Sequence, residues 1–170
     1  FENIKTTHTF ANLFSKCDEE EINNIVEGCY PLHPVTTYIL PRFSEKIAQN
    51  ERTMFTFLSA EEKNTLAAFT KTAKYFENDR LQFLTPDLLF DYFDNQMRSE
   101  PYTSPIKAVY NTAKQILVSF DSNILEAKLV KTLALVYSLN QFERLPPTNE
   151  LLHDILCLCW KFLHCRVVRT

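Results

Sequence analysis

Residues that can bind zinc recur near the carboxyl end of the sequence: His153, Cys157, Cys159 and His164. The apolar spacing there predicts a helix, and His153, Cys157 and His164 would share one side of it. A rise of about 1.5 Å per residue puts the two histidines roughly 16 Å apart, too far to share one ion. We therefore expect buried thiols beside ordinary histidines and no metal site.

Cys29 and His33 form a second pair of metal-ligating types. Zinc takes four ligands, and the sequence offers no two further candidates close to this pair. The pair therefore also predicts no metal site.

Arg52 offers a different chemistry, because a guanidinium holds a phosphate or carboxylate through two parallel hydrogen bonds. It follows a polar stretch at positions 49–51 and precedes Met54, Phe57 and Leu58, which share one apolar helical face. The helical period directs Arg52 away from that face. Two interpretations stay open here, a solvated surface arginine and an arginine that binds an anion across an interface.

The single glycine, Gly28, excludes several kinds of site. Phosphate-binding loops and dinucleotide fingerprints need glycines where the backbone approaches a ligand or takes a positive φ. No loop combines a nucleophile with a base and an anion-stabilising backbone. We therefore predict no catalytic residues, and no enzyme activity for this chain alone.

The composition is that of a globular chain, with 170 residues of which 45% are hydrophobic. Five cysteines without regular spacing indicate reduced thiols, and hence the cytoplasm, and no apolar run is long enough to span a membrane. The first residue, Phe1, suggests a piece of a longer protein. The first 100 residues carry a net charge of −6 and the rest +3, a weak indication of an acidic or nucleic-acid partner for the second half.

The periodicity predicts an all-α fold with at most a minor strand at Leu81 to Leu84. Val35, Ile39, Phe43 and Ile47 recur every four residues and predict a buried stripe, with Thr36 and Thr37 outside it. Helix-start signals are Thr85 before Pro86, Ser104 before Pro105, Thr148, and a capping box from Ser59 to Glu62. Gly28 is expected to end a helix in the left-handed conformation.

A linker at Ser99 to Pro105 divides the sequence into a helical subdomain at 1–98 and a second one at 99–170. The second contains helices at Ser122 to Leu139 and Thr148 to His164, joined by a stiff proline turn. That arrangement suits a helix-turn-helix or partial winged-helix module. However, the last helix begins with Glu150 and Asp154 and lacks a basic cluster, so DNA binding is only weakly indicated.

Three strings resemble the region that follows the nucleotide-binding core in large bacterial P-loop ATPases: YPLHP at 30–34, LPRFSEKIAQNERTMFTFL at 40–58 and FLTPDLLFDYF at 83–93. These ATPases are related to origin-recognition-type AAA+ proteins. The resemblance spans about residues 20 to 155. It implies that 1–98 is a lid-like subdomain and that the NER string places Arg52 at the position of the sensor 2 arginine, which contacts nucleotide phosphates.

The resemblance also implies a partner and cofactors outside this chain. The partner would be an N-terminal P-loop domain of the parent protein, which would bind ATP and Mg²⁺, while this chain would relay the nucleotide state. The alternatives from the sequence are a free-standing helical module that binds a protein partner and, less favoured, a DNA-binding helix-turn-helix module. No contact with a membrane is expected.

Overall fold

The computed structural model describes residues 2–48, 51–72, 76–77, 80–121 and 124–159. The first half contains α1 Glu2–Lys5, α2 His8–Leu13, α3 Glu19–Asn23, a π-helical segment Asn24–Gly28, α4 Pro34–Ala48, α5 Glu51–Ser59 and α6 Leu66–Thr72. Two short antiparallel strands follow, β1 Phe76–Glu77 and β2 Arg80–Leu81. The remaining helices are α7 Pro86–Tyr92, α8 Asp94–Ser99, α9 Pro105–Leu117, α10 Leu125–Leu139 and α11 Asn149–Cys159. The predicted all-α fold is confirmed.

Helix α4 presents the predicted stripe to the core. Val35, Ile39, Phe43 and Ile47 are all buried, and Ile39 and Phe43 are completely so. The four-residue spacing places these side chains on one side of the helix, where they meet α7 and α10. Among the described helices, none is both long and apolar enough to cross a membrane.

Helix α10 packs against α9, α7 and α4, so it joins both halves of the sequence. Its Leu135 and Val136 are fully buried in the same hydrophobic cluster as Phe43 and Phe93. The Lys46 ammonium donates to the Leu139 carbonyl at 2.9 Å, which satisfies one of the free carbonyls at the end of α10. The division at residues 98 and 99 stays a prediction, and the described core extends across it.

Polar as well as apolar contacts join the region of α2 to α11 and to the segment that precedes α11. The Thr9 amide, in the first turn of α2, donates to an Asp154 carboxylate oxygen at 3.2 Å. A carboxylate at the start of a helix is favoured because the free amides carry partial positive charge. Asn12 donates to the Arg144 carbonyl at 2.9 Å, and Arg144 donates to the Ser15 hydroxyl at 2.7 Å.

The predicted helix starts at Thr85, Ser104 and Thr148 are confirmed. Thr148 accepts a hydrogen bond from the Leu151 amide at 3.3 Å, as a cap does. The last helix is described to Cys159, so its predicted end near His164 lies outside the described residues.

One predicted cap conformation and one predicted helix start are wrong. The helical run does end at Gly28, as predicted, but neither Gly28 nor Cys29, which follows it, has a positive φ, so the end is not left-handed. The capping box at Ser59 and Glu62 is not formed either. Ser59 is the last residue of α5, and its hydroxyl donates back to the Phe55 carbonyl at 2.7 Å.

Thr65, which is fully buried, starts α6 instead. Its hydroxyl lies 2.7 Å from the Ala60 and Glu62 carbonyl oxygens and accepts the Ala68 amide at 3.3 Å. The chain turns first at Asn64, whose φ of 65° is left-handed. Asparagine tolerates that conformation better than most residues do, so no glycine is needed there.

Candidate functional site

Helix α5 carries Arg52 in its first turn. The predicted apolar face of this helix is confirmed, because Phe57 is fully buried and Met54 and Leu58 pack against the core. Phe55, on another side of α5, is 57% exposed. The Arg52 side chain lies outside the described side chains, so its direction stays a prediction from the helical period.

Tyr92, the last residue of α7, anchors the first turn of α5. Its hydroxyl donates to the Thr53 carbonyl at 2.9 Å, and its ring meets the Phe57 ring edge-on with centroids 5.0 Å apart. Burial, together with the nearby negative charge of Glu62, raises the pKa of the Tyr92 phenol. Tyr92 therefore stays protonated near neutral pH and keeps its hydrogen bond.

Helix α4 meets the residue that follows α7 through an edge contact between apolar rings. The Phe43 and Phe93 rings lie 5.1 Å apart in an edge-to-face arrangement, and both side chains are fully buried. Edge-to-face pairs add about 0.5–1.5 kcal/mol beyond their area burial. The contact fixes the end of α7, where Tyr92 stands, against α4.

A backbone clasp joins the start of α4 to the segment before α7. The Leu84 amide donates to the Pro31 carbonyl at 2.8 Å, and the His33 amide donates to the Leu84 carbonyl at 3.0 Å. The Thr36 hydroxyl donates to the same Leu84 carbonyl at 2.8 Å. Thr36 is therefore buried although it does not belong to the predicted stripe, since residues 83–84 cover that side of α4.

His33 is buried within this clasp. Its Nδ1 accepts the Val35 amide at 3.2 Å, while its Nε2 has no hydrogen-bond partner among the described residues. Desolvation by burial lowers the pKa of His33 to about 3, so the ring is neutral at pH 7 with its proton on Nε2. The Phe83 ring meets it edge-on at 5.9 Å.

These contacts bring together the three strings on which the resemblance depends. Residues 30–34 pair with 83–84 through the clasp, and residues 83–93 contact 40–58 through Phe43, Phe57 and Thr53. We call these three strings the junction. Strings far apart in the sequence thus form one packed unit at the start of α5.

Acidic residues of α7 and α8 tie the junction to the second half of the chain. Asp91 accepts from the Lys131 ammonium of α10 at 2.7 Å, and the Lys131 side chain is only 9% exposed. Asp94 accepts from the Tyr110 hydroxyl at 2.9 Å and from Lys114 at 3.1 Å, both on α9. Partial burial opposes ionisation of Asp94, but these hydrogen bonds, together with the positive charges of Lys114 and Arg98, outweigh it and lower the Asp94 pKa.

Five large apolar side chains at and beside the turn between α9 and α10 are exposed. Their exposed fractions are 37–87%, and Val118 is the most exposed of them: Ile116, Val118, Phe120, Ile124 and Leu125. We call this set the apolar turn. Exposed apolar groups of this kind typically mark interaction surfaces.

The zinc candidates are only partly described. His153 lies on α11, whereas the side chains of Cys157, Cys159 and His164 lie outside the described residues. Among the described residues no group of three metal-ligating side chains occurs. Burial raises the pKa of the Cys29 thiol, which disfavours the thiolate form that binds metals.

Comparisons of the chain with protein-family models, with curated proteins and with solved structures found no match. The candidate site is therefore argued from its geometry and from the resemblance of the three strings. Sequence reasoning missed Tyr92 as an anchor, because a tyrosine on an apolar helical face looks like any core aromatic. The only available signal was that its phenol needs a partner when buried.

Proposed function

We propose that this chain is a non-catalytic helical part of a larger AAA+-like P-loop ATPase, in which it acts as a lid over the nucleotide. Arg52 would contact a nucleotide phosphate, and ATP and Mg²⁺ would be held by an N-terminal P-loop domain of the same parent chain in the cytoplasm. One observation supports the proposal: the three resembling strings pack together as the junction, which includes the helix α5 that carries Arg52.

The chemistry supports a phosphate contact at this position. Arg52 lies in α5 and would supply a permanent positive charge and a bidentate donor. Phe57 of the same helix is buried in the core, so movement of the lid would move Arg52 with it.

Replacing Arg52 in the parent chain, with its P-loop domain present, tests the proposal. We expect Arg52→Ala to weaken binding of Mg²⁺ and a non-hydrolysable ATP analogue about ten-fold or more, because a charge-assisted phosphate contact contributes about 1.5–3 kcal/mol. The melting temperature without nucleotide should stay nearly unchanged, since surface substitutions typically cost less than about 0.5 kcal/mol. Titration calorimetry and thermal melts measure the two quantities.

Two variants sharpen this test. Arg52→Lys keeps the charge but loses the bidentate geometry, so its affinity should lie between wild type and Arg52→Ala. Arg42→Ala removes an exposed arginine of the neighbouring α4, which stacks on Tyr38 at 3.8 Å, and should leave nucleotide affinity unchanged. If Arg52→Ala unfolds the chain, or leaves ATP binding and hydrolysis both intact, Arg52 is not a sensor.

A helical protein-interaction module is the second candidate, and the apolar turn favours it. The gene sequence discriminates between the two. A GxxxxGK loop followed by Ser or Thr upstream of Phe1 favours the ATPase, and a start codon directly before Phe1 favours the module.

DNA binding through α11 has less support than the ATPase lid or the protein-interaction module. Its Leu151 and Ile155 are buried, and its Asp154 is bonded to α2. Glu150 stands exposed in its first turn, and hydrogen bonds from its own amide and from Thr148 lower the pKa of its carboxyl. A recognition helix would present positive charge there.

A further inference from the structure

The apolar turn gathers more than half of the exposed large apolar side chains in the part of the chain that the structure describes. Nine such side chains are exposed there, and five of them lie within positions 116–125. Ile116 is in the last turn of α9 and Leu125 begins α10. Because α9 and α10 pack on each other, these residues lie at the same end of the helix pair. They therefore form one local surface.

The area of this surface is sufficient for a contact between two copies of the chain. A large apolar residue presents about 150–250 Å² when it is free, so exposures of 37–87% leave roughly 400–500 Å² on the five residues together. Two copies would bury about twice that apolar area. Homodimer interfaces are about 65% apolar, so the total buried area would be on the order of 1,400 Å², within the about 1,200–2,000 Å² of specific, stable interfaces.

The charged residues beside the apolar turn favour a second copy over a strongly charged partner. Those within four positions of its members are Lys114, Asp121, Glu126 and Lys128, and all four are exposed. Two are basic and two are acidic, whereas a surface that recognises nucleic acid or a charged segment carries mostly one sign. A two-fold contact uses the same surface on both copies, so basic residues of one copy can face acidic residues of the other.

We propose that the apolar turn is the contact surface of a symmetric dimer of this chain. The dimer removes Val118 and the other four members of the apolar turn from water, and this burial drives association. The junction and α5 take no part in the contact, so the dimer does not depend on the ATPase lid.

Sedimentation velocity of the 170-residue chain at several concentrations measures the association. We expect a reversible equilibrium between monomer and dimer with a dissociation constant in the micromolar range, because the lost freedom of the two copies offsets much of the gain from burial. Raising the NaCl concentration ten-fold should change that constant less than about three-fold, since the contact is mainly apolar.

Val118→Asp and its matched control locate the contact. Val118→Asp places one carboxylate of each copy in the apolar contact and should weaken dimerisation at least about ten-fold. Tyr102→Asp makes the same change at a side chain that is 90% exposed, but Tyr102 precedes the start of α9 whereas Val118 follows its end. The control should leave the dissociation constant unchanged. Both variants should keep the helical circular dichroism signal.

Ile124→Asp tests the same surface from the side of α10. Ile124 is the N-cap residue of α10 and makes no side-chain cap hydrogen bond. Aspartate is a preferred N-cap residue, so the variant should keep the fold while it weakens dimerisation at least about ten-fold. It therefore gives a result even if Val118→Asp disturbs the fold.

A chain that sediments as a monomer at every concentration would overturn the proposal. A dimer that Val118→Asp and Ile124→Asp both leave intact would also overturn it, because its contact would lie on another surface. The same holds for a dimer that high salt dissociates. None of these results bears on the lid proposal, which is tested by nucleotide binding to Arg52→Ala.

Discussion

The junction and the apolar turn are both rich in large apolar side chains. Those of the junction are buried, whereas those of the apolar turn are exposed. In the junction, Phe43, Phe57 and Phe93 are fully buried, and a backbone clasp closes over the start of α4. In the apolar turn, Val118 is 87% exposed and the other four members are at least a third exposed. Similar composition therefore leads to opposite environments within one chain.

The difference comes from which distant segments reach each region. Residues 83–84 cross over α4, and Tyr92 reaches α5, so the junction is covered from two sides. The apolar turn connects two helices that pack mainly on each other and on α7, and its side chains extend past that contact. Local periodicity identifies apolar residues, but long-range contacts decide which of them are buried.

The largest expected effect on stability comes from comparing a buried and an exposed phenylalanine in the same helix, α5. We expect Phe57→Ala to lower the free energy of unfolding by about 3–5 kcal/mol, because it removes a fully buried ring and leaves a cavity. Phe55→Ala on the same helix should cost less than about 0.5 kcal/mol, since that ring is mostly exposed. Urea denaturation of both variants measures the difference, and equal losses would contradict the assigned face of α5.

A smaller effect should follow from His33 and depend on pH. The native pKa of His33 is about 3, below its usual 6.5, so the unfolded state binds a proton that the native state does not. The contribution of His33 to the free energy of unfolding is fully present above pH 6.5 and decreases as the pH drops toward 3. At about 1.36 kcal/mol per pH unit, roughly 2 kcal/mol should be lost between pH 6.5 and 5.

Urea titrations at several pH values measure this slope, and His33→Asn provides the control. Asparagine offers an acceptor for the Val35 amide that His33 Nδ1 now accepts, but it does not titrate. We expect the variant to lose that part of the pH dependence. An unchanged slope would mean that another group carries it.

The smallest effect is expected in the apolar turn. Val118→Ala should change the free energy of unfolding by less than about 0.5 kcal/mol, because the side chain is 87% exposed. Val136→Ala, the same change at a fully buried position of α10, should cost about 2 kcal/mol. Denaturation curves compare the pair, and a large loss at Val118 would place the apolar turn in a packed environment.

Much of the fold was predictable because local rules determine it. The four-residue stripe of α4 and the threonine or serine starts at Thr85, Ser104 and Thr148 follow from spacing and capping chemistry. What the local rules missed has two causes. Thr36 is buried by a segment 48 residues away, and the left-handed turn that precedes α6 falls on Asn64 rather than on a glycine.

The candidate site was predictable only in part. The apolar face of α5 follows from the helical period, and the buried Phe57 confirms it, whereas the direction of the Arg52 side chain stays a prediction. The contacts that fix this helix, from Tyr92 to Thr53 and from Phe93 to Phe43, join strings that are about 40–50 residues apart in sequence. No single-helix pattern contains that information, so the role of Arg52 stays a prediction.

The contact between α2 and α11 also has a kinetic consequence. Thr9 and Asp154 are separated by 145 positions, so their bond closes a very long loop. Non-local contacts form late in folding because the chain entropy of closure must be lost first. Interactions absent from the transition state slow unfolding more than they speed folding. We therefore expect the pairing of α2 with α11 to affect mainly the unfolding rate, and hence how long a folded molecule survives before it opens.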